Sequence, residues 1–156
     1  MYGRVATLEP IEWTWVVERL EAAGTYWLAT TNDDGTPHPR PVWGVWVDGR
    51  LFLSVGSHVH NRNLRQRPAV AVHLGDGVEV VAVHGTATQL DRDDPVLPRF
   101  VEVYDPKYSW QYSFDELPPP VAVDPSVVVA WRSAGADGRE GFRAAGKWVF
   151  GARLSP

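Results

Sequence analysis

The chain has 156 residues, a formal net charge of −4, 44% apolar residues, eight tryptophans and no cysteine. Its length suits one domain, residues 1–156, with enough chain to bury a real core. The acidic balance argues against general nucleic-acid affinity, which needs a basic face, and the lack of cysteine excludes disulfides, thiolate metal sites and cysteine nucleophiles. A reducing cytoplasm is compatible with that composition. No basic segment leads into an apolar run at the start, so no secretory signal is expected. No apolar run approaches the roughly 20 residues of a membrane helix.

Pro10–Ala23 predicts the first helix, because Ile11, Trp15, Val16, Leu20 and Ala23 recur at helical spacing and Gly24 is a natural stop. Strands are predicted at Tyr26–Thr31, His38–Val47, Leu51–Val55, Ala69–Leu74, Val78–Leu90, Val127–Trp131 and Trp148–Ala152. Asp34-Gly35, Asp48-Gly49 and Gly75-Asp76-Gly77 are hairpin turns, since glycine accepts positive φ. Consecutive strands with short hairpins favour an antiparallel sheet, and this many favour closure into a barrel. Val42–Val47 is nearly all apolar, so both its faces should be covered, one by the barrel interior and the other by a helix or a second subunit. Asp94–Tyr108 reads as a helix. Tyr108–Pro120 reads as irregular chain stiffened by Pro118-Pro119-Pro120, and Ala134–Gly141 as a polar loop.

Two constellations point to chemistry. Pro37, Pro39 and Pro41 alternate, which removes the N–H donors from one side of their strand. That side is an unpaired edge. Protection against aggregation and a gap for a flat ligand are both open readings. Then Gly56 ends a strand and Ser57 caps a short helix closed by Pro68, with His58, His60, Arg62, Asn63 and Arg65 adding donors and charge. N–H groups at a helix start attract phosphate; a solvated basic helix is the plainer alternative.

Other chemistries are weak. His58 and His60 lack a third metal ligand, so no metal site is expected. His73 and His84 read as strand histidines, and Ser54, Ser57 and Ser133 lack the context of an activated nucleophile. Asp91, Asp93 and Asp94 read as a solvated helix start.

These motifs, in this order, resemble the split-barrel family of pyridoxamine-phosphate oxidases and deazaflavin-dependent reductases. Tyr26-Trp27-Leu28-Ala29-Thr30 leads through an acidic-glycine turn into Gly35-Thr36-Pro37-His38-Pro39-Arg40-Pro41-Val42-Trp43. Val55-Gly56-Ser57 follows, then His60-Asn61-Arg62-Asn63-Leu64, Val83-His84-Gly85-Thr86-Ala87 and Lys147-Trp148-Val149-Phe150. His60 stands where the family uses a lysine that faces the cofactor phosphate. A histidine there makes the charge depend on pH, with Arg62 or Arg65 in reach to compensate.

The resemblance implies a mainly β, split β-barrel homodimer with cofactor sites between subunits. The cofactor would be FMN or the deazaflavin coenzyme F-420, serving an oxidoreductase acting on a small conjugated or quinone-like molecule. Its ring would lie along Thr30, Thr31, Pro41, Val42 and Trp43, with Trp148 also near it. Its phosphate would lie near Ser57, His60, Arg62 and Asn63. Relatives also leave open a cofactor carrier without turnover, or a protein that binds or degrades haem.

Overall fold

Alternating burial along the strands builds this fold. The structure, a computed structural model, describes residues 8–135 and 139–151, so Ala152 and residues 136–138 of two expected segments lie outside it. In chain order, β1 (Glu9–Pro10) and α1 (Trp13–Ala22) precede β2 (Tyr26–Thr31), β3 (Pro37–Val47) and β4 (Arg50–Ser54). Next come α2 (His58–Gln66), β5 (Ala69–Gly75), β6 (Glu79–Gln89), α3 (Leu97–Tyr108), β7 (Val121–Ser133) and β8 (Phe142–Val149). Neighbours run β7-β4-β3-β2-β5-β6, and pairing of β6 with β7 closes these six antiparallel strands into a barrel. β8 extends the sheet from β7, and β1 pairs with β8 in parallel. The mainly β, split-barrel architecture is the one expected.

Two apolar clusters hold it. Leu28, Trp46, Val72, Val81, Val83, Val123 and Val128 meet inside the barrel, where Val16 and Leu20 of α1 join them. Val45, Val47, Phe52 and Ala122 form a second cluster with Leu97, Phe100 and Tyr104 of α3. Of the apolar strand Val42–Val47, Gly44 to Val47 are thus covered by the barrel core on one face and by a helix on the other, while Trp43 stays exposed. Gly44 lies between them in a tight crossing: a Cβ there would sit 2.6 Å from Leu53 Cδ2 and 2.7 Å from the Phe52 carbonyl. The β3–β4 hairpin turns on Asp48 and Gly49, both at positive φ (50° and 80°), as a two-residue turn matched to strand twist requires.

Several boundaries differ from expectation. α1 starts at Trp13 because Glu9 and Pro10 are drawn into the sheet beside Ala144 and Ala145. α3 starts at Leu97 because the Asp94 carboxylate takes the Val96 N–H at 2.9 Å and turns the chain before the helix begins. β7 begins at Val121, not Val127. Pro125 is absorbed where the β6–β7 register shifts at His84/Gly85, a bulge that tolerates a missing N–H. β8 begins at Phe142 rather than Trp148, through Arg143-Ala144-Ala145-Gly146, a stretch with no β-branched residue to signal a strand.

Candidate functional site

From Pro37 to Val42, β3 pairs only with β2, and β4 joins at Trp43↔Ser54. Three prolines face the open side and leave it without N–H donors. β4 then ends, the chain turns through Gly56, and α2 begins. A cleft of about 400 Å³ results. Arg40, Pro41, Val42 and Trp43 line it from β3, and Ser54, Gly56, Ser57 and His60 from the end of β4 and the start of α2. Tyr104 of α3 completes the lining.

Ser57 caps α2, its hydroxyl accepting the His60 N–H at 3.5 Å. The helix start therefore presents its free N–H groups and positive dipole end to the cleft.

His60 is only 1% exposed, and its ring meets His38 edge-on at 5.0 Å. The His38 carbonyl lies close enough to the ring to favour its protonated form, and the buried Nε2 has no partner among the described residues. Nε2 is therefore left for a ligand, accepting from it or donating to it according to the tautomer. Burial lowers the His60 pKa below the ordinary histidine value; the His38 carbonyl opposes this, and the charges of His38 and Arg40 add to it.

Arg40 is exposed beside this ring. Its guanidinium donates to the Pro39 carbonyl at 3.1 Å and forms no ion pair among the described residues.

An aromatic wall closes one side. Trp43 stacks on Tyr108 with centroids 4.7 Å apart and meets Trp110 edge-on at 6.1 Å. Trp43 and Trp110 remain 45% and 48% exposed. The Tyr108 hydroxyl accepts the Gly44 N–H at 3.0 Å and donates to the Gly44 carbonyl at 2.9 Å, fixing the strand behind the wall.

Of the residues expected at the site, Pro41, Val42, Trp43, Ser57 and His60 line the cleft. Thr30 and Asn63 are buried beside it: Asn63 Nδ2 donates to Thr30 Oγ1 at 3.1 Å and to Asn32 Oδ1 at 2.9 Å, pinning α2 to β2. Thr31 alternates onto the outer face of β2. Arg62 reaches toward Asp33 at 3.8 Å. Trp148 packs on Trp13 at 5.2 Å. These last three do not line the cleft.

Sequence reasoning passed over Arg40, Ser54 and Tyr104 as lining residues, whereas Gly56 was part of the expected turn into α2. Arg40 had a signal: its side chain shares a strand face with Val42, opposite the prolines. Among the described residues, no group of three or more His, Asp or Glu side chains is assembled for a metal. No helix among them is long and apolar enough to cross a membrane.

This barrel with a proline-edged cleft belongs to a known class. The profile of the pyridoxamine 5'-phosphate oxidase family matches residues 15–134, and the chain belongs to that family. Among solved structures it is similar to a conserved hypothetical protein from Mycobacterium tuberculosis, at 22% identity over 88% of this chain and 92% of that one, with a TM-score of 0.67. A FAD-binding protein from Mesorhizobium loti aligns at 18% identity over 80% and 97% of the two chains, TM-score 0.63. An F-420 reductase aligns at 24% identity over 71% and 93%, TM-score 0.54. No curated protein matches the sequence.

Proposed function

We propose that this chain is a cytoplasmic, homodimeric oxidoreductase. It binds a phosphorylated flavin-type cofactor, FMN or the deazaflavin coenzyme F-420, and moves a hydride to or from a small conjugated or quinone-like molecule. The observation that carries this reading is the cleft itself, an open strand edge without N–H donors lying between an aromatic wall and a capped helix start. Family membership and the similarity to an F-420 reductase and a FAD-binding protein support it.

The residues present fit such a ligand. The α2 N-terminus, Ser57 and Arg40 suit its anionic end. The β3 edge and Trp43 suit a flat ring. The orphaned Nε2 of His60 suits a ligand hydroxyl or N–H, or a shared proton from a phosphate. When bound, the cofactor supplies the hydride chemistry; these side chains orient it and exclude water. A second subunit fits against Trp43 and Trp110, exposed aromatics beside the cleft that the fold itself leaves uncovered. The apolar strand Val42–Val47 no longer argues for that subunit, because α3 covers Val45 and Val47.

The test is calorimetric titration of apoprotein with FMN and with F-420, then single-turnover reduction of a quinone by the loaded, reduced protein, with light scattering for mass. One cofactor should bind at micromolar concentration to a dimer and be reoxidised by the quinone. Binding of neither cofactor defeats the reading. Binding without quinone-dependent reoxidation reduces it to a carrier.

A further inference from the structure

A second cavity, of about 340 Å³, lies between the C-terminal end of α1, the end of β3 and α3. It shares no lining residue with the cleft. Its volume falls at the lower end of the range for small-molecule sites. Val45, Trp46, Val47 and Val103 line it together with Lys107, Glu21, Asp48 and Arg99.

Lys107 is an unusual residue for this chain, which has two lysines, Lys107 and Lys147, against thirteen arginines. Its Nζ donates to Tyr26 Oη at 2.9 Å. The Tyr26 hydroxyl in turn gives its own proton to the Leu20 carbonyl, so the tyrosine oxygen can only accept from the amine. Burial raises the Tyr26 pKa and keeps that hydroxyl protonated. The faces of Tyr26 and Tyr108 lie 5.0 and 5.6 Å from Nζ. Among the described residues no carboxylate comes within ion-pair distance of it. One donor of the amine is thus fixed, and the lone pair of its neutral form is left for the cavity.

We propose that Lys107 is a nucleophilic amine that captures small aldehydes in this cavity. The Nζ lone pair attacks the carbonyl carbon, and the carbonyl electron pair takes a proton to give a carbinolamine. Loss of water then leaves an imine, so that R–CHO and the Lys107 amine become R–CH=N–Lys107 and H₂O with no redox change. Val103, half-buried on α3, meets the R group. Burial pushes the Lys107 pKa down to about 8, against the charge of Glu21, so the neutral amine is available near neutral pH. The other ionisable groups facing it are Tyr26, Asp48, Arg99 and Tyr108. None of this depends on the cofactor reading.

The test uses the whole apoprotein with 3-methylbutanal and sodium cyanoborohydride at pH 7.5, with peptide mass mapping. Lys147, exposed on β8, is the internal reference. Lys107 should be alkylated on the order of tenfold faster or more, as its larger neutral fraction requires. The two rates should converge in guanidinium. Val103→Trp, which fills the cavity, should slow Lys107 with 3-methylbutanal while formaldehyde still reacts. A Lys107 that reacts no faster than Lys147 in the native protein overturns the proposal, and so does a Val103→Trp variant, folded by circular dichroism, with an unchanged 3-methylbutanal rate.

Discussion

The indole of Trp43 lies parallel to the phenol of Tyr108, with ring centroids 4.7 Å apart and 8° between the planes. The same phenol hydroxyl holds both backbone groups of Gly44. α3 therefore fixes the cleft wall twice, through the ring that stacks and through the strand that carries it. Tyr108→Phe keeps the stack and strips the hydroxyl from two buried backbone groups. That should cost about 1–3 kcal/mol, read as a fall of several degrees in Tm with little change in tryptophan emission.

Trp43 is the tryptophan placed to sense a ring in the cleft. Trp43→Leu should remove most of the fluorescence quenching seen on adding FMN or F-420. Trp148, packed on Trp13, should be replaceable by leucine with the quenching intact. The opposite pattern would move the ring to the β8 side of the molecule.

The barrel was readable where side chains alternate. β2 keeps its expected limits because Tyr26, Leu28 and Thr30 are buried and flanked by polar or exposed neighbours, the period of a half-buried strand. β8 was largely missed because alanines and Gly146 carry no strand propensity; its pairing with β7 comes from tertiary contact. The cleft was readable in part for a similar reason. The prolines and the Ser57 cap are local signals, whereas Tyr104 arrives from a helix some 50 residues beyond Ser54, a separation no local pattern spans. Thr30 and Asn63 are a related case. The resemblance placed both at the cofactor, and the fold spends their polarity on bonding α2 to β2.

Arg40 is the fixed cation of the cleft. If it holds an anionic ligand end, Arg40→Ala removes a charge-assisted bond worth about 1.5–3 kcal/mol, or roughly 10- to 150-fold in affinity. Arg40→Lys should restore part of it, since lysine keeps the charge and loses the fork. Arg62→Ala, whose guanidinium turns toward Asp33, should change affinity little. Calorimetry on the three variants decides, and equal losses in Arg40→Ala and Arg62→Ala would place the anion elsewhere.

His60 makes the sharpest prediction because its two states demand opposite things of a ligand. In the free protein burial holds its pKa below 6.5. As pH falls below that value, the unfolded chain takes a proton that the folded one refuses, so stability should drop through the acid side of the histidine range. His60→Gln, which cannot titrate, should flatten that part of the profile in urea midpoints taken from pH 7 down to 5. A bound phosphate group works the other way, since its charge favours imidazolium and raises the His60 pKa. Binding near pH 7 should then take up part of a proton in the wild type and less in His60→Gln, measured by calorimetry in buffers of different ionisation enthalpy. The second ionisation of the phosphate, near pH 6, is common to both proteins and cancels in the comparison. Equal uptake by the two would mean that Nε2 accepts from a neutral hydroxyl or N–H, placing His60 beside the uncharged part of the ligand and leaving its anion to Arg40 and α2.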